Sequence, residues 1–156
     1  MDHTRFVELM RALHTHDVEY VLFGAAAMGM HGVVRATEDV DLFLRPAIDN
    51  VDRLKRAFRL VWNDPCIDEI SAEELVGDYP ALRYGPPDDA LYVDVVTRLG
   101  EAFGYDDLEC DVIHLGEIPV RTASVRTLVR MKRDTVRAKD RLDVEALRER
   151  FGEGIE

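Results

Sequence analysis

Val21-Leu22-Phe23-Gly24-Ala25-Ala26-Ala27-Met28, followed by Arg35-Ala36-Thr37-Glu38-Asp39-Val40-Asp41-Leu42, is the part of the sequence that decides the fold. Glu19 to Phe23 is a short apolar run ending at Gly24 and reads as a buried strand. Ala25 to His31 is rich in Ala and Met and reads as a helix, with Gly32 placed to stop it. Asp39 to Leu44 is a second strand, near enough in sequence to be expected beside the first. Side chains alternate along a strand, so Val40, Leu42 and Leu44 take one face while Asp39 and Asp41 share the other.

Two carboxylates held side by side repel, and a divalent cation is the natural compensation. An all-oxygen ligand set suits Mg²⁺ or Mn²⁺. The same pair also fits a solvent-facing sheet edge or a turn cap, and Asp-x-Asp is too common to decide by itself. Its surroundings favour a site. The strand ending at Gly24 runs straight into a helix, which aims backbone N–H groups and a positive dipole end at whatever sits there. Asp94 interrupts the apolar strand Leu91-Tyr92-Val93-Asp94-Val95-Val96, where a lone carboxylate is costly unless it is paired or binds metal. The alternative for Asp94 is the exposed face of an edge strand, shared with Tyr92 and Val96.

Working outward, Phe6, Leu9, Met10 and Leu13 recur at helical spacing and open the chain with an amphipathic helix. Pro46 closes the Asp39–Leu44 strand, and Ile48 to Val61 is a helix with Val51, Leu54, Phe58 and Val61 on one stripe. The middle is the least regular part. Ser71-Ala72-Glu73-Glu74 has capping-box spacing and starts a short helix, and Gly85-Pro86-Pro87-Asp88-Asp89 is a loop. Leu91 to Thr97 is a strand, and Asp111 to Thr122 a hairpin turning near Gly116-Glu117. Two helices finish the chain, one capped by Ser124 and one starting near Asp140. No internal repeat, low-complexity tract or linker interrupts this order. The expectation is one α+β domain over residues 1–156, with a small mixed sheet flanked by helices over about 18–122 and a helical pair over 124–151.

The composition, 47% apolar and 33% charged over 156 residues, is that of a globular chain able to bury a core. Met1-Asp2-His3-Thr4-Arg5 has no basic start leading into an apolar stretch. The most apolar run, Tyr20 to Met30, is about half a membrane span, so a cytoplasmic protein with no membrane partner is expected. Cys66 and Cys110 lack metal-ligand spacing and read as free thiols, and the histidines are scattered. A net charge of −11 argues against a protein that coats nucleic acid. Between Arg121 and Arg141, however, eight basic residues face only Asp134 and Asp140, which suits a local phosphate site.

That basic stretch holds the second cluster. Val125, Leu128 and Val129 define the inward stripe of the helix after Ser124, and Lys132 falls on it. Val144, Leu147 and Phe151 define a stripe on the last helix that also takes in Asp140 and Asp143. Charges on an apolar face are unfavourable unless paired. Lys132 could lock the two helices through Asp140 or Asp143, Asp140 could be a helix N-cap, or Lys132 could meet a phosphate with Arg137 or Lys139 assisting.

In their order, the strand, the Gly24 turn, His31-Gly32, Arg35-x-Thr37 and Asp39-x-Asp41 resemble the DNA polymerase beta-like nucleotidyltransferase superfamily, and within it the AbiEii/AbiGii toxin-type branch. The resemblance runs from about Val21 to Leu44, resumes at Asp94 and returns from Lys132 to Leu147. It implies a polymerase beta-like fold in which Asp39, Asp41 and Asp94 are catalytic and hold two Mg²⁺ or Mn²⁺ ions. It also implies that Gly24, Ala25, Arg35, Thr37, Lys132, Lys139 and Asp140 bind the nucleotide. One departure stands out: the superfamily usually has Gly-Ser or Gly-Gly at the turn, and Gly24-Ala25 lacks the hydroxyl that would contact phosphate.

The activity so implied is transfer of a nucleoside monophosphate from an NTP to an acceptor hydroxyl, on a tRNA end, a protein or a small molecule. A toxin–antitoxin or phage-defence setting, with a cognate partner protein or a homo-oligomer, goes with it. Gly24-Ala25 also fits a catalytically degenerate module that binds nucleotide or a partner, and a structural module with a chance Asp-x-Asp is a third possibility.

Overall fold

The computed structural model describes residues 3–33, 37–101, 103–132 and 138–152, with side chains left undescribed at 138 and 139. In chain order the elements are α1 (His3–Thr15), β1 (Tyr20–Phe23), α2 (Gly24–Met30), β2 (Asp39–Leu44), α3 (Ile48–Val61), α4 (Ala72–Val76), β3 (Ala81–Tyr84), β4 (Tyr92–Val96), β5 (Arg98–Leu99), β6 (Phe103–Gly104), β7 (Cys110–Leu115), β8 (Ile118–Ala123), α5 (Val125–Lys132) and α6 (Ala138–Phe151). Short 3₁₀ turns lie at Pro65–Glu69 and Tyr105–Asp107. No described helix is long and apolar enough to cross a membrane.

Six strands form one mixed sheet in the order β3-β4-β2-β1-β8-β7, and β5 pairs with β6 in a separate ribbon. β1 runs antiparallel to β2 and parallel to β8, while β2 runs parallel to β4. The alternation in β2 is what sorts the two faces. Val40, Leu42 and Leu44 are fully buried, on the same face as Val93, Val95 and Tyr84 of the neighbouring strands. There Phe58 of α3 stacks on Tyr84, with ring centroids 5.1 Å apart, and Trp62 closes the cluster edge-on. α1 packs against α3, burying Phe6, Leu9, Met10 and Leu13 as their spacing predicts. The opposite face of the sheet carries Asp39, Asp41 and Asp94, and α2 and α5 lie on that side.

Local signals act as read. Ser71 Oγ accepts from Glu74 N (3.2 Å) at the start of α4, and Ser124 Oγ accepts from Thr127 N (3.1 Å) at the start of α5. Two differences are physical. β4 is an interior strand, because the unanticipated β3 covers its outer side, so Asp94 does not lie on an edge strand. The β5–β6 ribbon also escapes sequence patterning, since two-residue strands have no period to detect.

Asn50 ties the ends of β1 and β2 to α3. It is fully buried, and its Oδ1 accepts from Glu19 N (2.8 Å) while its Nδ2 donates to the carbonyls of Glu19 (2.9 Å) and Arg45 (3.0 Å). Removing it leaves Glu19 N–H without this acceptor, while the carbonyls of Glu19 and Arg45 lose one donor each and keep Arg45 N–H (3.1 Å) and Ala47 N–H (2.9 Å). Asn50→Ala is expected to cost about 2 kcal/mol in urea unfolding; a loss below about 0.5 kcal/mol would show that Glu19 N–H finds another partner.

Candidate active site

The register of the sheet gathers the carboxylates. Asp41 stands opposite Phe23 of β1 on one side and opposite Asp94 of β4 on the other, with Asp39 opposite Tyr92. All three side chains therefore project from one face of two adjacent parallel strands. Gly24 completes the arrangement. Its φ of +69° turns the chain from β1 into α2, and a Cβ placed on it would lie 2.1 Å from Asp41 Oδ2. The space a side chain would need is taken by the Asp41 carboxylate.

A cleft of about 350 Å³ lies over this face, and its lining includes Gly24, Ala25, Asp39, Asp41 and Asp94 from the sheet side and Lys132 and Asp140 from the C-terminal helices. Seven of the residues singled out in the sequence thus meet at one place. Thr37 does not line it. Its Oγ1 accepts from Asp39 N (3.0 Å), which fixes the entry into β2 and so sets where Asp39 begins. Arg35 and Arg137 lie outside the described residues, as does the side chain of Lys139. A larger cleft of about 460 Å³ wraps β3 and meets the first at Arg83, but none of the three carboxylates reaches it.

Lys132 makes the helix lock that was one of the alternatives raised by the sequence. Its Nζ donates to Asp140 Oδ1 (3.2 Å) and Asp143 Oδ2 (2.9 Å), linking α5 to α6. Asp140 and Asp143 are 1% and 0% exposed, so the ammonium compensates carboxylates that water does not reach. The lock also forms a wall of the cleft, because Lys132 and Asp140 both line it.

Arg83 is the residue the sequence did not give up. Its Nε donates to Asp94 Oδ1 (2.8 Å) and its Nη2 to Asp94 Oδ2 (3.1 Å), a two-pronged pairing, and Nη2 also lies 3.5 Å from Asp39 Oδ2. The guanidinium sits over the Tyr92 ring, 5.0 Å from its centroid. Hydrogen bonding to Asp94 raises its pKa above the ordinary arginine range, so it is a permanent cation. The available signal was Pro80-Ala81-Leu82-Arg83-Tyr84-Gly85, a short alternating run between two breakers.

The donor set suits a hard cation, since Asp39 and Asp41 offer only carboxylate oxygens. Among the described residues the cleft is lined by four carboxylates, Asp39, Asp41, Asp94 and Asp140, against Arg83 and Lys132. A divalent ion would offset the repulsion among these carboxylates. The Asp39–Asp41 pair fits one. A three-carboxylate cage is a different matter: no three described His, Cys, Asp or Glu side chains are gathered closely enough to hold a metal as they stand, and Asp94 is turned to Arg83.

The fold is that of nucleotidyltransferases. ANT(2")-Ia in complex with adenylyl-2"-tobramycin superimposes with a TM-score of 0.56 at 14% identity, over 96% of this chain and 88% of that one. JHP933 from Helicobacter pylori gives a TM-score of 0.56 at 21% identity, over 97% of this chain and 68% of that one. The family model for the nucleotidyl transferase AbiEii toxin, type IV toxin–antitoxin system, matches residues 8–154, and the chain belongs to this family. It is therefore a nucleotidyltransferase of the toxin type. No curated protein matches the sequence.

Two outcomes follow from the geometry. Gly24→Ala is expected to displace the Asp41 carboxylate and reduce nucleotidyl transfer by about 100-fold or more, as a misplacement of roughly 1 Å does at a reacting centre; near-normal turnover in the folded variant would show that the Gly24–Asp41 contact is dispensable. Lys132→Met leaves Asp140 and Asp143 without this ammonium and is expected to cost roughly 3–5 kcal/mol in urea unfolding. A cost below about 1 kcal/mol would deny the lock between α5 and α6.

Proposed function

We propose that the enzyme transfers a nucleoside monophosphate from an NTP to an acceptor hydroxyl, with Asp39 and Asp41 binding a divalent ion that accompanies the triphosphate. The observation that carries this reading is the cleft itself, where two adjacent strands present Asp39, Asp41 and Asp94 beneath Lys132. A bound Mg²⁺ or Mn²⁺ would neutralise charge at the reacting phosphate and on the departing pyrophosphate. Lys132 faces the phosphates, and Arg35 and Lys139 are further candidates for the same role. The backbone at Gly24 and Ala25 supports the triphosphate, with Thr37 holding the start of β2 behind it.

In the transfer, the acceptor oxygen bonds to the α-phosphorus as the bond between that phosphorus and the bridging oxygen to the β-phosphate breaks. Pyrophosphate leaves with that electron pair. The acceptor proton passes to the Asp94 carboxylate, which lies on the strand beside the Asp39–Asp41 pair. An RNA end is one acceptor class, since it needs only a small basic patch such as the stretch from Arg121 to Arg141 supplies on an otherwise acidic protein. Protein and small-molecule hydroxyls are the other acceptor classes. Membership of a type IV toxin–antitoxin family goes with an antitoxin as cognate partner.

Incubation with α-labelled NTPs, Mg²⁺ or Mn²⁺ and separated tRNA, protein and small-molecule fractions tests the proposal. Label is expected in one fraction, with Asp39→Asn and Asp41→Asn reducing transfer by roughly 10³-fold or more while leaving the fold intact. Transfer near the wild-type rate in either folded variant would remove the pair from the chemistry, and nucleotide binding without pyrophosphate release would identify a binding module instead.

A further inference from the structure

We infer that Arg83 occupies the place of one of the two cations usual for this chemistry, so that the enzyme works with a single divalent ion at Asp39 and Asp41 and a fixed guanidinium at Asp94. This rests on the proposed function of the Asp39–Asp41 pair and concerns how the third carboxylate is used.

Three observations support it. The pairing of Arg83 with Asp94 engages both carboxylate oxygens, at 2.8 and 3.1 Å, so an ion bound through Asp94 would share each oxygen with an N–H donor and sit beside a fixed positive charge. The same guanidinium reaches Asp39 Oδ2 at 3.5 Å and therefore spans the two outer carboxylates, the position a bridging cation would take. A divalent ion added there would lie beside a group that never loses its charge.

An exposed ion pair alone is weakly held, and the Arg83 side chain is 55% exposed. The geometry around it supplies the missing restraint. Gly85 lies against the Tyr92 ring, where a Cβ on residue 85 would come within 2.9 Å of Cε1. The ring so seated supports the guanidinium from below at 5.0 Å. β3 and β4 place Arg83 directly opposite Asp94 in antiparallel register, so the arginine needs no loop to reach its partner. Gly85, Tyr92 and Arg83 thus form a continuous support that ends on the Asp94 carboxylate.

The test is a count of Mn²⁺ bound per chain in the absence of nucleotide, by equilibrium dialysis with electron paramagnetic resonance of the free ion. Wild type is expected to hold one ion, Arg83→Met two, and Asp94→Asn one. Two ions in wild type, no gain in Arg83→Met, or loss of the ion in Asp94→Asn would each overturn the inference. Asp41→Asn separates this from the reading beneath it: that variant is expected to hold none, and an ion retained there, or none in wild type, would overturn the Asp39–Asp41 assignment itself and the inference with it.

Discussion

The close approach of the Asp41 carboxylate to the α-carbon of Gly24 constrains everything else in the cleft. A side chain at residue 24 would collide with Asp41 Oδ2, and the φ of +69° there favours glycine independently. The two conditions coincide because β1 and β2 are antiparallel neighbours with Phe23 opposite Asp41. The turn into α2 must therefore pass over the same face from which Asp41 projects. Once that turn is made, α2 covers part of the sheet, α5 packs beside it, and the remaining opening is the cleft. The site is a consequence of register and of one absent methyl group.

Two central strands supply three of the four carboxylates that line the cleft among the described residues, while its cations come from the sheet edge and from α5. Asp39, Asp41 and Asp94 come from two central strands, whereas Arg83 comes from the edge strand and Lys132 from α5. Each cation is held by carboxylates rather than left to solvent, Arg83 by Asp94 and Asp39, and Lys132 by Asp140 and Asp143. The two pairings differ in kind. Asp140 and Asp143 are buried, so their link to Lys132 compensates a large desolvation penalty and resists change. The Arg83 pairing lies at the solvent edge and depends on Tyr92 for its orientation.

How much of this was legible depended on pattern length. The bounds of β2 and α3 were readable to the residue, because the Asp-Val-Asp-Leu alternation closed by Pro46 and fourteen positions at helical spacing mark them. The partnership of Asp41 with Asp94 was legible only as two separate anomalies, since sequence does not give the parallel register that aligns them. Arg83 was illegible for a different reason. Four residues of β3 beside a loop carry little periodic signal, and an arginine on an exposed strand face is unremarkable until its cross-strand partner is known. The inward position of Lys132 and Asp143 followed from the apolar stripes of two helices, but the stripes could not say whether the charges met each other or a ligand. They meet each other at the wall of the cleft.

With the turn at Gly24 in its proposed role, Ala25 in place of a hydroxyl-bearing residue would bear on how tightly a triphosphate is held more than on whether the chemistry can occur. A single hydroxyl contact contributes about 1 kcal/mol, or 1.5–3 kcal/mol when its partner is charged. In the proposed transfer the electrostatic demand would fall on the carboxylates and cations that line the cleft. The turn itself does not need the hydroxyl, because its direction is set by the backbone of Gly24. Ala25 is 6% exposed and lines the cleft, so what the substitution removes is one side-chain donor from an otherwise intact turn. Under the proposed function, a weaker grip on the phosphates with an unaltered arrangement of charge would raise the nucleotide concentration needed for turnover, and would leave the cost of reaching the transition state to Asp39, Asp41 and the groups around them.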